Sequence, residues 1–136
     1  MIRFGISVPK SLLEAFDRQI RRKGYRTRSE AVRDLMRDHL VTAAWEERGG
    51  EVVGTITLVY DHATRELTHA LTDLQHRFHS HILCATHVHL DPHRCLEVIV
   101  VRGGAERVRE IADHLISTRG VKHGKLVCTT TGRELD

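Results

Sequence analysis

Apolar and polar residues alternate strictly over residues 2–8, with Ile2, Phe4, Ile6 and Val8 on one side and Arg3, Gly5 and Ser7 on the other. That is the period of a half-buried β-strand. Pro9 ends it, and Leu12, Leu13, Phe16 and Ile20 then recur at helical spacing to about Lys23, with Ser11 as the expected N-cap and Gly24 as the stop. Ser29 is expected to cap a second helix, which carries Ala31, Val32, Leu35, Met36 and Leu40 on its apolar side and runs to about Trp45. One strand with two helices leaves hydrogen-bonding groups open on both strand edges. The least costly remedy is antiparallel pairing with the same strand of a second chain, which buries the apolar side of both copies and turns Arg3, Gly5 and Ser7 outward.

After Gly49-Gly50, which reads as a hinge, the pattern changes. Strands are expected at about 51–60, 81–90, 94–101 and 121–130, and helices at about 64–78 and 104–118. The order β-α-β-β-α-β is that of a ferredoxin-like domain, with both helices on one face of a four-stranded antiparallel sheet. The chain is therefore expected to be α+β, with a dimeric strand-helix-helix section at 1–48 and the second domain at 51–136. In the hairpin 81–101 the apolar residues Ile82, Cys84, Val88, Leu90, Leu96, Val98 and Val100 all hold even positions, so these are expected to face the helices.

Composition adds four points. The 136 residues are 40% hydrophobic and 29% charged, which fits one or two folded domains and not a disordered or fibrous chain. No run approaches a membrane span and the first residues lack the apolar stretch of a secretory leader, so a cytoplasmic protein with no membrane partner is expected. Three cysteines, Cys84, Cys95 and Cys128, make an odd number without close spacing, which speaks against a disulfide framework. The net charge is only +3, but it is uneven: up to Arg48 there are 11 basic and 7 acidic residues, and beyond it 10 and 11. A basic N-terminal section suits an anionic partner, and with only six aromatics in the chain duplex DNA fits better than a single strand.

The outlying number is eleven histidines. By the alternation above, His87, His89, Cys95 and Glu97 share the face opposite the apolar set, and the turn at Asp91-Pro92-His93 brings Cys95 beside the two histidines. Two imidazoles and a thiolate suit Ni(II), Cu or Zn better than Mg or Ca, which prefer oxygen. Glu97 could orient a ligand imidazole, as carboxylates beside metal sites often do. His76, His79 and His81 are near in number. His76 lies at the end of a helix expected on the far side of the sheet, so a histidine from a neighbouring chain is the geometric way to a fourth donor. Planar donors would favour Ni(II) or Cu(II), and tetrahedral ones Zn(II).

The segments RFGISVP, RSEAVRDLMR, QHRFHSH, THVHLDPHRCLEV and RGVKHGKL together resemble the nickel-responsive transcriptional regulators (NikR) over nearly the whole chain. The resemblance implies a ribbon-helix-helix domain joined to an ACT-type regulatory domain, with two dimers forming a homotetramer through the regulatory domains. It implies that His87, His89 and Cys95 of one chain and His76 of another bind Ni(II), one per chain, in a square plane. It also implies that Arg3, Gly5 and Ser7 lie on a ribbon in the major groove of operator DNA, although Gly5, where the family more often has a polar residue, has no side chain to read a base. Arg28, Ser29 and Arg33 begin the second helix, where backbone amides and the helix dipole favour a phosphate. Glu30 and Asp34 match positions that help hold a second cation when DNA is bound. The implied activity is nickel-dependent repression of transcription, without enzymatic turnover or a small-molecule substrate. The alternative is a ribbon-helix-helix regulator that senses a small molecule through its ACT-like domain.

Overall fold

The computed structural model describes residues 1–47 and 49–135 and divides the chain into two compact units, Met1–His39 and Leu40–Asp136. Arg48 and Asp136, which end the two expected domain spans, lie outside the described residues.

In the first unit, residues 1–9 belong to neither helix nor sheet and their side chains are exposed, so the strand expected at 2–8 is not formed within the single chain, because a strand needs a partner strand to meet its hydrogen-bonding groups. Helix α1 (Lys10–Arg22) begins one residue before Ser11, with Pro9 at the N-cap and no side-chain cap, so the expected serine cap is not made. Gly24 ends it with φ +85°, a left-handed conformation that glycine adopts without steric cost. Helix α2 (Arg28–Glu46) is capped by Thr27, whose Oγ1 accepts the Glu30 amide at 3.2 Å. Ser29 therefore sits inside the first turn and does not cap it. Arg28 donates twice to Asp17 of α1, at 2.8 and 2.7 Å, which braces the two helices. Ile2, Phe4, Ile6, Leu12, Leu35 and Met36 all remain exposed and line an open apolar hollow, while Ile20 and Ala31 are buried.

The second unit is built on β1 (Glu51–Asp61), α3 (Arg65–Arg77), β2 (Ile82–His89), β3 (Arg94–Gly104), α4 (Ala105–Ile116) and β4 (Val121–Thr129). The sheet is antiparallel in the order β2-β3-β1-β4, as the ferredoxin-like arrangement requires. Val52, Ile56, Leu58 and Tyr60 of β1 alternate into a core shared with Leu67 and Leu71 of α3 and Val108, Ile111 and Leu115 of α4. Trp45 joins this core; its indole N–H donates to the Thr129 carbonyl at 2.8 Å, and Arg109 donates to the Trp45 carbonyl at 2.9 Å.

The parity of the hairpin is the reverse of the expectation. On β3 the odd residues Cys95, Glu97, Ile99 and Val101 are buried under the helices, while Leu96, Val98 and Val100 are only half-buried on the open face. Across from them on that face lie Val88 of β2, Thr55 of β1 and, beside Thr55, Val127 of β4. An apolar open sheet face is unusual for a surface that meets only water.

Close packing leaves no room for a side chain at Gly124. A methyl group on Gly124 of β4 would stand 2.6 Å from Ile116 Cγ1 and 3.1 Å from Leu58 Cδ2. Gly124→Ala is expected to destabilise the domain by about 1–3 kcal/mol through overpacking. A shifted urea midpoint at unchanged slope would register it, and an unchanged midpoint would refute the packing argument.

Candidate metal centre

Two strands and one helix end carry the candidate residues. The turn between β2 and β3 is held by Asp91, whose Oδ1 accepts the amides of His93 and Arg94 at 2.9 and 2.8 Å and whose Oδ2 accepts Arg94 Nε at 2.7 Å. The two backbone amides foremost, and Arg94 after them, hold its carboxyl down at about 2, so it is an anion throughout the neutral range. This turn sets the register that pairs His89 with Cys95 and His87 with Glu97. Directly paired residues in an antiparallel ladder share a face. The four residues do share one, but it is the helix-covered face, at the edge where β2 leaves it open.

Their surroundings differ sharply. Cys95 is 0% exposed and Glu97 1%, whereas the His87 side chain is 52% exposed. Glu97 is a buried carboxylate with two donors and an imidazole nitrogen around it. Its Oε2 accepts the Tyr60 hydroxyl at 2.6 Å, its Oε1 accepts Gln75 Nε2 at 2.8 Å, and the same Oε1 lies 3.4 Å from His87 Nε2. A carboxylate out of water is tolerated only when its lone pairs are met in this way. Burial first, then the bonds to Glu97 and Cys95, push the Tyr60 hydroxyl above its ordinary range, so it remains a donor.

Gln75 also corrects the expected position of α3. Its bond to Glu97 puts that helix on the same face as His87, His89 and Cys95, not the far one. The exposure of His76 has another cause: successive helical residues are turned by about 100°, so with Gln75 directed inward His76 points out. Nor do the hairpin residues converge into a ready cage. Among the described residues no group of three or more His, Cys, Asp or Glu side chains stands close enough to hold a metal ion. The donor chemistry nevertheless fits a borderline ion: nitrogen and sulfur side by side suit Ni(II), Cu or Zn.

Three residues went unnoticed in the sequence. Tyr60 and Gln75 are ordinary members of a strand and a helix, and only their common contact with Glu97 distinguishes them. His62 has a buried Nδ1 with no hydrogen-bond partner, and its ring stands edge-on to His89 with centroids 5.1 Å apart.

In the first unit Arg3, Gly5, Ser7, Ser29 and Arg33 are all exposed. Arg28 differs from the others of the expected DNA-contacting group because its guanidinium is already engaged by Asp17. Asp34 is likewise occupied, accepting the Tyr25 hydroxyl at 2.8 Å and Arg37 at 2.9 Å, and these contacts hold its carboxyl below the usual carboxylate range. Glu30 is half-buried. No helix among the described residues is long and apolar enough to cross a membrane.

Comparison with known proteins agrees with this architecture. Residues 53–129 match the family described as the NikR C-terminal nickel-binding domain, and residues 2–43 match the ribbon-helix-helix proteins of the copG family. A protein of Geotalea uraniireducens is 60% identical over 134 residues, covering 98% of this chain and 96% of its own length. One from Thermococcus onnurineus is 59% identical over 133 residues, covering 98% and 96%. Both are provisionally named nickel-responsive regulators. Among solved structures, an uncharacterized protein of Thermotoga maritima superposes with a TM-score of 0.52 at 16% identity, covering 58% of this chain and 98% of that one, a likeness of fold alone.

The fold and these matches define a ribbon-helix-helix regulator with an ACT-like second domain, a class of transcription factor and not an enzyme. Within that class the chain belongs to the NikR family of nickel-responsive regulators.

Proposed function

We infer that this chain is a cytoplasmic, nickel-dependent repressor that binds operator DNA as a homotetramer, with His87, His89 and Cys95 of one chain and His76 of another holding one Ni(II) per chain. The observation that carries this reading is the register of the hairpin, His89 against Cys95 and His87 against Glu97, with His76 exposed on the neighbouring helix end. Assembly is supported by two apolar surfaces, the hollow around Ile2, Phe4 and Ile6 and the open sheet face with Val88, Val98 and Val127. The first suits pairing of two ribbons, and the second suits sheet-to-sheet contact between dimers.

Glu97 Oε1 lies 3.4 Å from His87 Nε2, where a carboxylate can orient the ring for a ligand. When bound, nickel supplies coordinate bonds that join the hairpin of one chain to the end of α3 in another. His76 is exposed at the end of α3, where a neighbouring chain can reach it. On the DNA side Arg3 and Ser7 read base edges, while Ser29 and Arg33, at the positive end of α2, hold phosphates. Nickel and DNA affinities are then reciprocal, each raising the other by a coupling of about 1–3 kcal/mol.

The test is an absorption titration with Ni(II) and with Zn(II), followed by binding of the same sample to its own promoter DNA. A thiolate charge-transfer band saturating at one nickel per chain, with nickel-dependent DNA binding, is the expected result. DNA binding indifferent to metal would favour a small-molecule effector. The ligands also fix a pH dependence, because cysteine binds as thiolate and histidine as the neutral ring. Each imidazole that must lose its proton to bind lowers nickel affinity by about tenfold per pH unit in the range where it is protonated in the metal-free protein. Competition with a chelator measures this, and an affinity that stays flat down to about pH 5.5 is incompatible with the donor set.

A further inference from the structure

Gln75 stands next to His76 in sequence and grips the other side of the same machinery. Its amide donates to Glu97 Oε1 at 2.8 Å, and that one oxygen also lies 3.4 Å from His87 Nε2. Tyr60 holds the second oxygen of Glu97 at 2.6 Å and brings its hydroxyl within 3.4 Å of His87 Nδ1. Glu97 is thus located by α3 through Gln75 and by β1 through Tyr60, and the half-exposed His87 ring rests on it. The last turn of α3 faces two ways. Gln75 binds the carboxylate under its own chain's His87, while His76 points outward.

We propose that Gln75 is a positioning residue that couples two metal sites: the one its own chain builds around His87, and the one that the adjacent His76 completes in a neighbouring chain. This rests on the intersubunit reading of His76 given above. Once His76 is held by a neighbour, the end of α3 loses freedom, Gln75 keeps its bond to Glu97 for more of the time, and His87 has less entropy to lose on binding. Occupation of one site therefore raises the affinity of the other. Glu97 Oε1 is the atom through which the effect passes, because both Gln75 and His87 address it.

Calorimetric nickel titration of the full-length protein tests the coupling. The unaltered chain is expected to bind with a Hill coefficient above one. Gln75→Ala should keep the same nickel capacity, lose about tenfold in mean affinity, and bind with a coefficient of one. In the metal-free protein the same change should shift and broaden the His87 ring-proton NMR signals while leaving those of His123, on the opposite edge strand, in place. Gln75→Asn, one methylene too short to reach Glu97, should behave like the alanine variant and replaces it if that variant does not fold. Independent sites in the unaltered chain, or undiminished steepness in Gln75→Ala, would overturn the proposal. His76→Ala separates the two layers. Full nickel affinity in that variant removes the intersubunit reading and the coupling with it, whereas lost affinity beside undiminished steepness in Gln75→Ala removes the coupling alone.

Discussion

His87→Ala is expected to lower nickel affinity by more than the roughly 10–100-fold that follows loss of a residue merely supporting a ligand. The fold should survive the change. The side chain is 52% exposed on an edge strand, and Glu97 keeps its bonds from Tyr60 and Gln75 when the imidazole is gone. Loss of nickel binding in a protein of unchanged thermal midpoint therefore reports ligation and not unfolding. Cys95 offers a less clean experiment, because it is wholly buried within the core cluster and its removal also leaves a void. Calorimetry and the charge-transfer band measure both quantities for His87→Ala. Retention of full affinity would exclude His87 from the donor set and with it the hairpin as the centre of the site.

Arg3→Ala is expected to weaken operator binding by about 1–3 kcal/mol, the usual worth of a well-made contact to a base edge. Arg3 is exposed on the segment whose alternate residues Ile2, Phe4 and Ile6 are apolar, so pairing of two such segments would bury those three and leave Arg3 on the outer side. Nickel uptake should be unchanged, because every proposed donor belongs to the second unit. Fluorescence anisotropy with operator and with scrambled duplex separates the possible causes. A loss confined to the operator means base reading, and an equal loss on both duplexes with a shallower salt dependence means that Arg3 holds a phosphate. Unaltered binding to the operator would remove the N-terminal segment from the DNA interface. Arg28 is a poor companion for this comparison, since replacing it would also remove the brace to Asp17.

Much of this architecture is legible in the periodicities of the chain. The period-two runs of β1 and the hairpin and the helical spacing of α3 and α4 place all six elements of the second domain within a few residues, because each element buries one face and its apolar residues must recur accordingly. The histidines, the cysteine and Glu97 fall on one face by the same arithmetic, and the observed pairing keeps them together. Helix caps were less legible. Thr27, Ser29 and Ser11 are all competent hydroxyls, and which one meets a free amide depends on where the backbone turns.

What the residues could not decide alone is which face of β3 meets the helices. Leu96, Val98 and Val100 on one side are as apolar as Cys95, Ile99 and Val101 on the other, and a glutamate at position 97 argues for the solvent side. In the folded domain Glu97 is buried, because Tyr60 from β1 and Gln75 from α3 arrive to satisfy it. Alternation along a strand is a local property, so the sequence by itself determined the elements of the second domain, their order and the hairpin residues that share a face. Satisfaction of a buried carboxylate needs groups 37 and 22 residues away, and only the tertiary structure, by bringing them to one point, decided which face became the core.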